Sequence, residues 1–498
     1  MASAAVRVMG IAPVFAACLA AAAAESPDAI EPIPRVVELD VGEETTVALA
    51  DGSRAAVRLL AIDAETDTVR GAVRRATARV TVNDETVTLE CAAYGLPVRA
   101  GGVRIDCPIT RSFYATSNKD RWGLGKDARL RLWPADGPLI RPETFSCPVR
   151  IRFFASDTQM ANVPVYVDGA ERPSSKCYYH SGLDFGGAEG MVPIYAATDG
   201  LVVSAADKTL EGHKEDSPVS PRYDVVYLLD PRGWYYRYSH MERIADGIRP
   251  GVRVKRGRQI GVLGKEGGSG GWTHLHFEAK SRQPSGRWGT EEAYAYVWEA
   301  YRRGHPEALV AVARPHRLAA AGETVTLDGS RSAAFGSRVT AYNWTFSDGT
   351  TAEGPTARRT YANPGTYSEI LKVTDARGRT AVDFGVVVVV DPPKGFPPGI
   401  HACCSPTWPV KPGEEVTFKV RTFRTKPTGE TWDFGDGSPP VTVRSDANAD
   451  MHAPDGYAVT THAYAKPGDY IATVTHTSAD GAGATGRVWV RVEKAEQQ

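Results

Sequence analysis

The sequence predicts a mainly β chain divided into several domains. Three observations carry that prediction. Val/Thr-rich alternation recurs, as in Thr324-Val-Thr-Leu327 and Glu415-Val-Thr-Phe-Lys-Val420, and a two-residue period gives a strand one apolar face. Helical periodicity is scarce, while 49 glycines and 34 prolines punctuate the 498 residues. A unit of about 90 residues occurs twice in the C-terminal third. Such a length exceeds one hydrophobic core. A formal net charge of −1 gives no electrostatic ground for binding nucleic acid or an anionic membrane.

The first 24 residues read as a signal peptide. Arg7 is the early positive charge, Val8 to Ala24 is apolar and small, and Ala22-Ala23-Ala24 precedes Glu25 as a cleavage site would. The run is too short and too alanine-rich for a secure span, so no membrane span is expected after cleavage. Cys18 follows Phe15-Ala16-Ala17, and a lipid-attachment box carries an aliphatic residue where Phe15 stands. The reading is therefore a soluble product, secreted or periplasmic, in the cell envelope. Six cysteines then remain, and an even count in an exported chain predicts disulfides. Cys91 and Cys107 flank a Gly101-Gly102 turn. Cys147 and Cys177 bracket the entry to the next domain. His401-Ala-Cys403-Cys404 lacks a second spaced pair for a metal cluster, so a disulfide is expected there as well.

Residues 25–150 read as an N-terminal β domain of unknown role. Thr45 to Ser53 is a strand entering a turn, and Ala78 to Leu89 a hairpin around Asn83-Asp84. No catalytic constellation occurs there. Packing on the following domain, or shielding its groove, is the expected use.

Residues 151–290 carry the chemistry. In His274-Leu275-His276, side chains at i and i+2 of a strand share one face, so two imidazoles project together. His180-Ser-Gly-Leu-Asp184 lies upstream, and Tyr238-Ser-His240 between them. Four histidines and an aspartate would make a zinc site with histidines to spare, and a catalytic zinc keeps one position open for water. A straight strand would hold His180 and Asp184 about 13 Å apart, so Gly182 must bend the chain if they share an ion.

The order of motifs adds to this. After His180-x-x-x-Asp184 come Pro193-Ile-Tyr-Ala-Ala-Thr-Asp-Gly200, Tyr236-Arg-Tyr238-Ser-His240-Met241, Gly251 to Gly261, and His274-Leu-His276-Phe-Glu278. Residues 165–285 in this order resemble the lysostaphin/LytM-type zinc endopeptidases. The resemblance implies an antiparallel β-sheet groove. It implies Zn2+ held by His180, Asp184 and His276, with His240 and His274 unligated as catalytic groups that orient water and stabilise the oxyanion. It also implies peptidoglycan peptide, cross-link or stem, as substrate. The approach to His274 departs from the family's Gly-Pro-like pair and reads Gly268-Ser-Gly-Gly-Trp272-Thr273, which puts a tryptophan beside the cleft. The Gly267–Gly271 run lacks the Lys-Ser/Thr of a phosphate loop and reads as a flexible cleft wall. Asp207 to Arg222 reads as a polar inserted loop, with His213 solvated in it.

Beyond this domain, residues 291–310 read as a helical linker, with Ala293, Tyr294, Val297, Trp298 and Tyr301 on a packing stripe. The repeated units follow at 311–391 and 399–494. The first contains Trp344-Thr-Phe-Ser-Asp348-Gly349 and Tyr361-Ala-Asn-Pro-Gly365. The second contains Trp432-Asp-Phe-Gly-Asp436-Gly437 and Tyr464-Ala-Lys-Pro-Gly468. Both resemble PKD domains, which implies Ig-like β-sandwiches that bind a carbohydrate or protein, or act as spacers. Their aspartates read as turn formers rather than calcium ligands. Asp391 to Pro398 reads as a semi-rigid linker between them.

The whole is expected to be a secreted zinc metalloendopeptidase with separable modules, acting on peptidoglycan or another extracellular peptide polymer. Two alternatives are an extracellular protease for glycine-rich proteins and a catalytically silent adhesion or regulatory module.

Overall fold

The structure is a computed structural model that describes residues 29–91, 94–115, 117, 119–160, 163–166, 177–392 and 395–493. The expected signal peptide, with Cys18 and the Ala22–Ala24 site, lies outside the described residues. The chain is mainly β, as expected, and α1 (Tyr294–Gly304) is the one α-helix among the described residues.

The strands between residues 35 and 134 form one sheet. Its strands run in the order Arg35–Leu39, Ala128–Pro134, Val103–Thr110, Glu85–Cys91, Val73–Val82, Arg54–Thr66 and Glu44–Ala48. The hairpin expected at Ala78–Leu89 forms, with Val82 paired to Glu85 across a two-residue turn. Asn83 there adopts φ 50°, a left-handed conformation that asparagine tolerates. Alternate residues Val57, Leu59, Val80 and Val82 are buried on the inner face.

The central region holds an antiparallel sheet in the order Leu183–Gly186, His274–Arg282, Tyr235–Ser239, Val226–Leu229, Gly200–Ala205 and Lys208–Thr209. A second sheet of Pro193–Tyr195, Gln259–Leu263 and Met241–Ile244 packs nearby. Between them lies an aromatic core that includes Phe145, Tyr236, Tyr238 and Phe277. Helix α1 is built into that core: Tyr294 through Tyr301 are all buried, and Tyr294, Trp298 and Tyr301 pack edge-on to Phe153. The segment expected to link domains thus supplies core packing, because nearly every face of it is apolar or satisfied.

The N-terminal sheet is locked to the central sheet by two buried arginines. Arg129 pairs with Glu38 at 2.7 Å and donates to Thr290 O at 3.3 Å. Arg131 bridges Asp106 at 2.6 Å and Glu291 at 2.9 Å. Each guanidinium has several partners, which a buried cation requires.

The two repeats are joined more closely than a linker implies. One sheet runs through both, with Gly365–Asp375 of the first paired in parallel to Gly483–Val492 of the second at Gly365–Gly483 and Thr366–Ala484. Trp344 and Trp432 are fully buried at equivalent positions, one in each unit. Asp348 accepts from Thr350 N at 3.0 Å, and Asp436 from Ser438 N at 3.0 Å, so both acidic turns are closed by their own backbone. Both units also pack against the central region. Arg314, paired with Asp383, donates to Thr158 O and Ser156 O at 2.6 Å each.

Among the described residues no disulfide is formed, and the expected pairings are not shown. Cys91 and Cys107 are register partners on neighbouring strands, but both are thiols, and Cys107 Sγ is directed at Ile109 O, 3.7 Å away. Cys147 is a thiol against Val297 O of α1 at 3.5 Å, whereas Cys177 lies in the N-terminal core. The two sit in different cores. Cys403 and Cys404 are adjacent on the Gly399–Ser405 strand, where neighbouring side chains point to opposite faces.

Candidate metal centre and its groove

Register brings the candidate ligands together. The strand Leu183–Gly186 pairs with His274–Arg282 so that Asp184 faces His276 and Gly186 faces His274. Ser239 faces His276 from the other side, and His240 follows at once. His240 has φ 68°, which ends the strand and turns its ring over the sheet. Gly182 has φ 98°, and a Cβ there would lie 2.7 Å from Phe277 O. Only glycine fits this close approach, and the bend folds His180 back over Asp184.

Among the described residues, His180, Asp184 and His276 form the one group of three metal-ligand side chains within 4.8 Å of one another. His180 Nε2 lies 2.9 Å from His276 Nδ1 and 3.2 Å from Asp184 Oδ2, and His276 Nδ1 lies 2.9 Å from Asp184 Oδ1. Zinc–ligand bonds near 2.0–2.1 Å in tetrahedral geometry put ligand atoms about 3.3 Å apart. The donor types and their spacing therefore fit one zinc ion.

His240 and His274 stand beside this trio, their rings 4.7 Å apart. His274 Nδ1 contacts Trp272 O at 2.9 Å, and its Nε2 is 3.7 Å from Asp184 Oδ1. His240 Nδ1 contacts Glu266 O at 2.6 Å. A carbonyl only accepts, so each Nδ1 carries the hydrogen and each Nε2 is left with a lone pair. Burial holds His240 well below the ordinary histidine range, reinforced by His274 and His276. Burial also lowers His274, against the pull of Asp184. Both rings are thereby kept neutral. Burial works to raise Asp184, but His180 and His274 outweigh it and hold the carboxyl well below its usual value.

Two carboxylates to which sequence reasoning gave no role hold this cluster in place. Asp224 accepts from His240 N at 2.8 Å and is itself gripped by Arg222, at 2.6 Å through Nη2. Glu278, two residues beyond His276, approaches its Nε2 at 3.9 Å and accepts from Ser181 and Thr290 hydroxyls at 2.8 and 3.0 Å. Carboxylates behind ligand histidines orient the ring. The Glu278 position was visible in the sequence, but its hydroxyl partners lie on other elements. Cys177 takes no part: it and Tyr179 face the N-terminal core, while Tyr178 between them lines the groove. His213 is likewise outside the groove, 3.0 Å from Tyr235 OH.

The groove is a cavity of 710 Å³ lined by all five expected site residues, His180, Asp184, His240, His274 and His276. Its walls come from the whole molecule. Lys119 and Arg121 are contributed by the N-terminal region, Arg317 by the first repeat, and Arg424 by the second. Trp272, beside the cleft as expected, stacks on Phe423 of the second repeat with ring centres 4.5 Å apart and planes 13° apart. The glycine run is not free either. Arg421 donates to Gly271 O at 3.1 Å, Asn448 to Gly270 O at 3.1 Å, and Thr273 N to Tyr457 OH at 3.1 Å. The expected separability of the C-terminal units is at odds with this packing, because they anchor the loop that leads into His274.

This fold and site agree with comparisons to known proteins. Peptidase family M23 matches residues 178–286, and the PKD domain families match residues 307–389 and 402–488. The chain carries a peptidase family M23 domain followed by two PKD domains. A peptidoglycan DD-endopeptidase of Vibrio cholerae, ShyC, is 32% identical over 99 residues, 20% of this chain and 19% of that protein. The chain thus matches about a fifth of the length of that curated relative. The catalytic domain of a prophage-encoded M23 protein, EnpA, from Enterococcus faecalis is 26% identical, covering 25% of this chain and 85% of that one, with a TM-score of 0.17. Csd3 of Helicobacter pylori is 13% identical, covering 50% of this chain and 75% of that one, with a TM-score of 0.22.

Proposed function

We propose that this protein is an exported zinc metalloendopeptidase that hydrolyses peptide bonds of peptidoglycan. The observation that carries the reading is the convergence of His180 Nε2, His276 Nδ1 and the Asp184 carboxylate beside two neutral imidazoles. His180, Asp184 and His276 would hold the ion. Bound there, zinc would lower the pKa of its water toward about 7 and polarise the scissile carbonyl.

The remaining chemistry belongs to His240 and His274. With Nδ1 donating to a fixed carbonyl, each ring keeps its orientation and offers Nε2 as a base. One accepts the proton of the attacking water. The imidazolium so formed donates to negative charge on the carbonyl oxygen or to the departing amine. The bond from His240 N to the Asp224 carboxylate and the bond from His274 Nδ1 to Trp272 O keep both rings from drifting. The match to peptidase family M23 and the partial identity with a peptidoglycan DD-endopeptidase support the substrate assignment. Export and the roles of the PKD domains are part of the same proposal.

The test is mass spectrometry of fragments released by the full chain from purified peptidoglycan and from a glycine-rich protein. New termini at peptide bonds of peptidoglycan, lost with a chelator and restored by zinc, are expected. Cleavage of the protein alone would replace the substrate, and a folded, zinc-loaded chain that releases nothing from either would overturn the enzyme assignment.

A further inference from the structure

The groove has a charge pattern that peptide hydrolysis by itself does not require. Seven cationic side chains line the cavity (Arg74, Lys119, Arg121, Arg222, Arg237, Arg317 and Arg424), against the carboxylates of Asp157 and Asp184. The whole chain carries −1, so this excess is local. Three of the cations are answered: Arg74 by Asp67 at 2.7 Å, Arg222 by Asp224, and Arg237 by Glu278 at 3.8 Å.

The other four have no carboxylate within ion-pair distance among the described residues. Lys119 and Arg121 lie over the ring of Tyr178, two residues before His180, at 4.5 and 5.6 Å from its centre. Arg317 has a buried Nε without a hydrogen-bond partner. Arg424 donates Nε to Pro397 O at 3.1 Å, and its guanidinium is 6.0 Å from the centre of the Phe396 ring. Burial lowers the pKa of Arg317 and pulls Arg424 down to about 10, so both remain charged near neutrality. Arg317 is half-buried, while Arg424 and Lys119 keep surface open to an incoming ligand. Burial raises Asp157 to about 7, which leaves it a weak counter-charge.

Like charges gathered in one partly desolvated cavity repel one another and forgo hydration. Elsewhere the fold meets buried arginine with carboxylate, as at Arg129, Arg131 and Arg314. Arg152 is an exception elsewhere, met by Trp489 O and the Trp489 ring, whereas the four at the groove share one cavity and come from three different domains. Guanidinium groups recognise carboxylates through paired hydrogen bonds, and a cavity lined by one sign of charge concentrates ligands of the other.

We propose that Lys119, Arg121, Arg317 and Arg424 form a carboxylate-recognising subsite, so that the substrate is an acidic peptide whose free carboxylates are seated by the N-terminal and PKD domains. This rests on the peptidase reading and names the substrate class for it. The accessory domains then select the substrate at the site itself.

The test uses soluble peptides freed from peptidoglycan by glycan digestion, and the same peptides with their carboxylates converted to amides. Binding to the zinc-free full chain is read by calorimetry, so it does not depend on turnover. The acidic peptides are expected to bind about tenfold more tightly, the scale of a charge-assisted bidentate contact. Arg424→Gln and Arg317→Gln should each remove much of that preference. Arg358→Gln, on the exposed edge of the first PKD domain, should leave it intact. With zinc restored, the same two groove variants should raise KM for acidic peptide far more than they lower kcat. Equal affinity of the folded wild type for acid and amide, or a preference unaltered in Arg317→Gln, Arg424→Gln, Lys119→Gln and Arg121→Gln, would overturn the subsite. A preference without cleavage of either peptide would instead sink the peptidase reading and keep the subsite.

Discussion

Phe423 lies in the second PKD domain, about 150 residues beyond His274, yet it should control the active site. Its ring stacks on Trp272 at 4.5 Å, and Trp272 O holds His274 Nδ1 at 2.9 Å. Phe423→Leu keeps the position apolar and removes the stack. An aromatic pair contributes about 0.5–1.5 kcal/mol beyond area burial. Each factor of ten in rate corresponds to about 1.4 kcal/mol. If that anchoring is spent on holding His274, turnover of a small soluble peptide should fall roughly threefold to tenfold. Zinc content should stay at one per chain, since no proposed ligand is touched. The assay is single-turnover cleavage by the zinc-loaded full chain, with folding checked by thermal melting. Trp272→Leu completes a double-mutant cycle, and residues sharing one interaction should be non-additive. The double variant should then be little slower than either single variant. Turnover at the wild-type rate in Phe423→Leu, or two full penalties that simply add, would refute the claim that the PKD domain positions His274.

Three other outcomes follow from the site. His276→Ala should lose bound zinc and activity together, and stoichiometric zinc at native affinity by metal analysis would reject the ligand set. His240→Ala and His274→Ala should retain zinc and slow single-turnover cleavage by roughly two to four orders of magnitude; near-normal rates in both would reject their roles. A chain ended at Arg314 should bind zinc but cleave even soluble peptide poorly, because the Gly267–Thr273 loop loses Arg421, Asn448, Tyr457 and Phe423. Full activity of that shortened chain on soluble peptide would restore the modular picture.

The sequence by itself determined the local frame of the centre. The two-residue period of a strand sends His274 and His276 to one face, and that is what the fold contains. A bend was required at Gly182, and its φ of 98° with Phe277 O at 2.7 Å from a Cβ supplies it. The hairpin at Asn83, the two PKD units and the mainly β class were equally readable, since each follows from spacing over a few residues or from a repeated motif. Tertiary structure decided the rest. Asp224 holds His240 across elements that no sequence period links, and Glu278, which shares the strand period of His276, is fixed by Ser181 and Thr290 from other segments. The helix at Tyr294–Gly304 read as a linker with a packing stripe, but it is enclosed because Tyr294, Trp298 and Tyr301 pack on Phe153 in the aromatic core. Cys147 and Cys177 are separated by the cores they enter, which a count cannot reveal. The groove walls are the largest case. Lys119, Arg121, Arg317 and Arg424 are ordinary surface-type residues in sequence, and they become one cavity lining because domains far apart in the chain pack around a single cleft. Strand periodicity fixes which face a side chain occupies; the packing of whole domains fixes what that face meets.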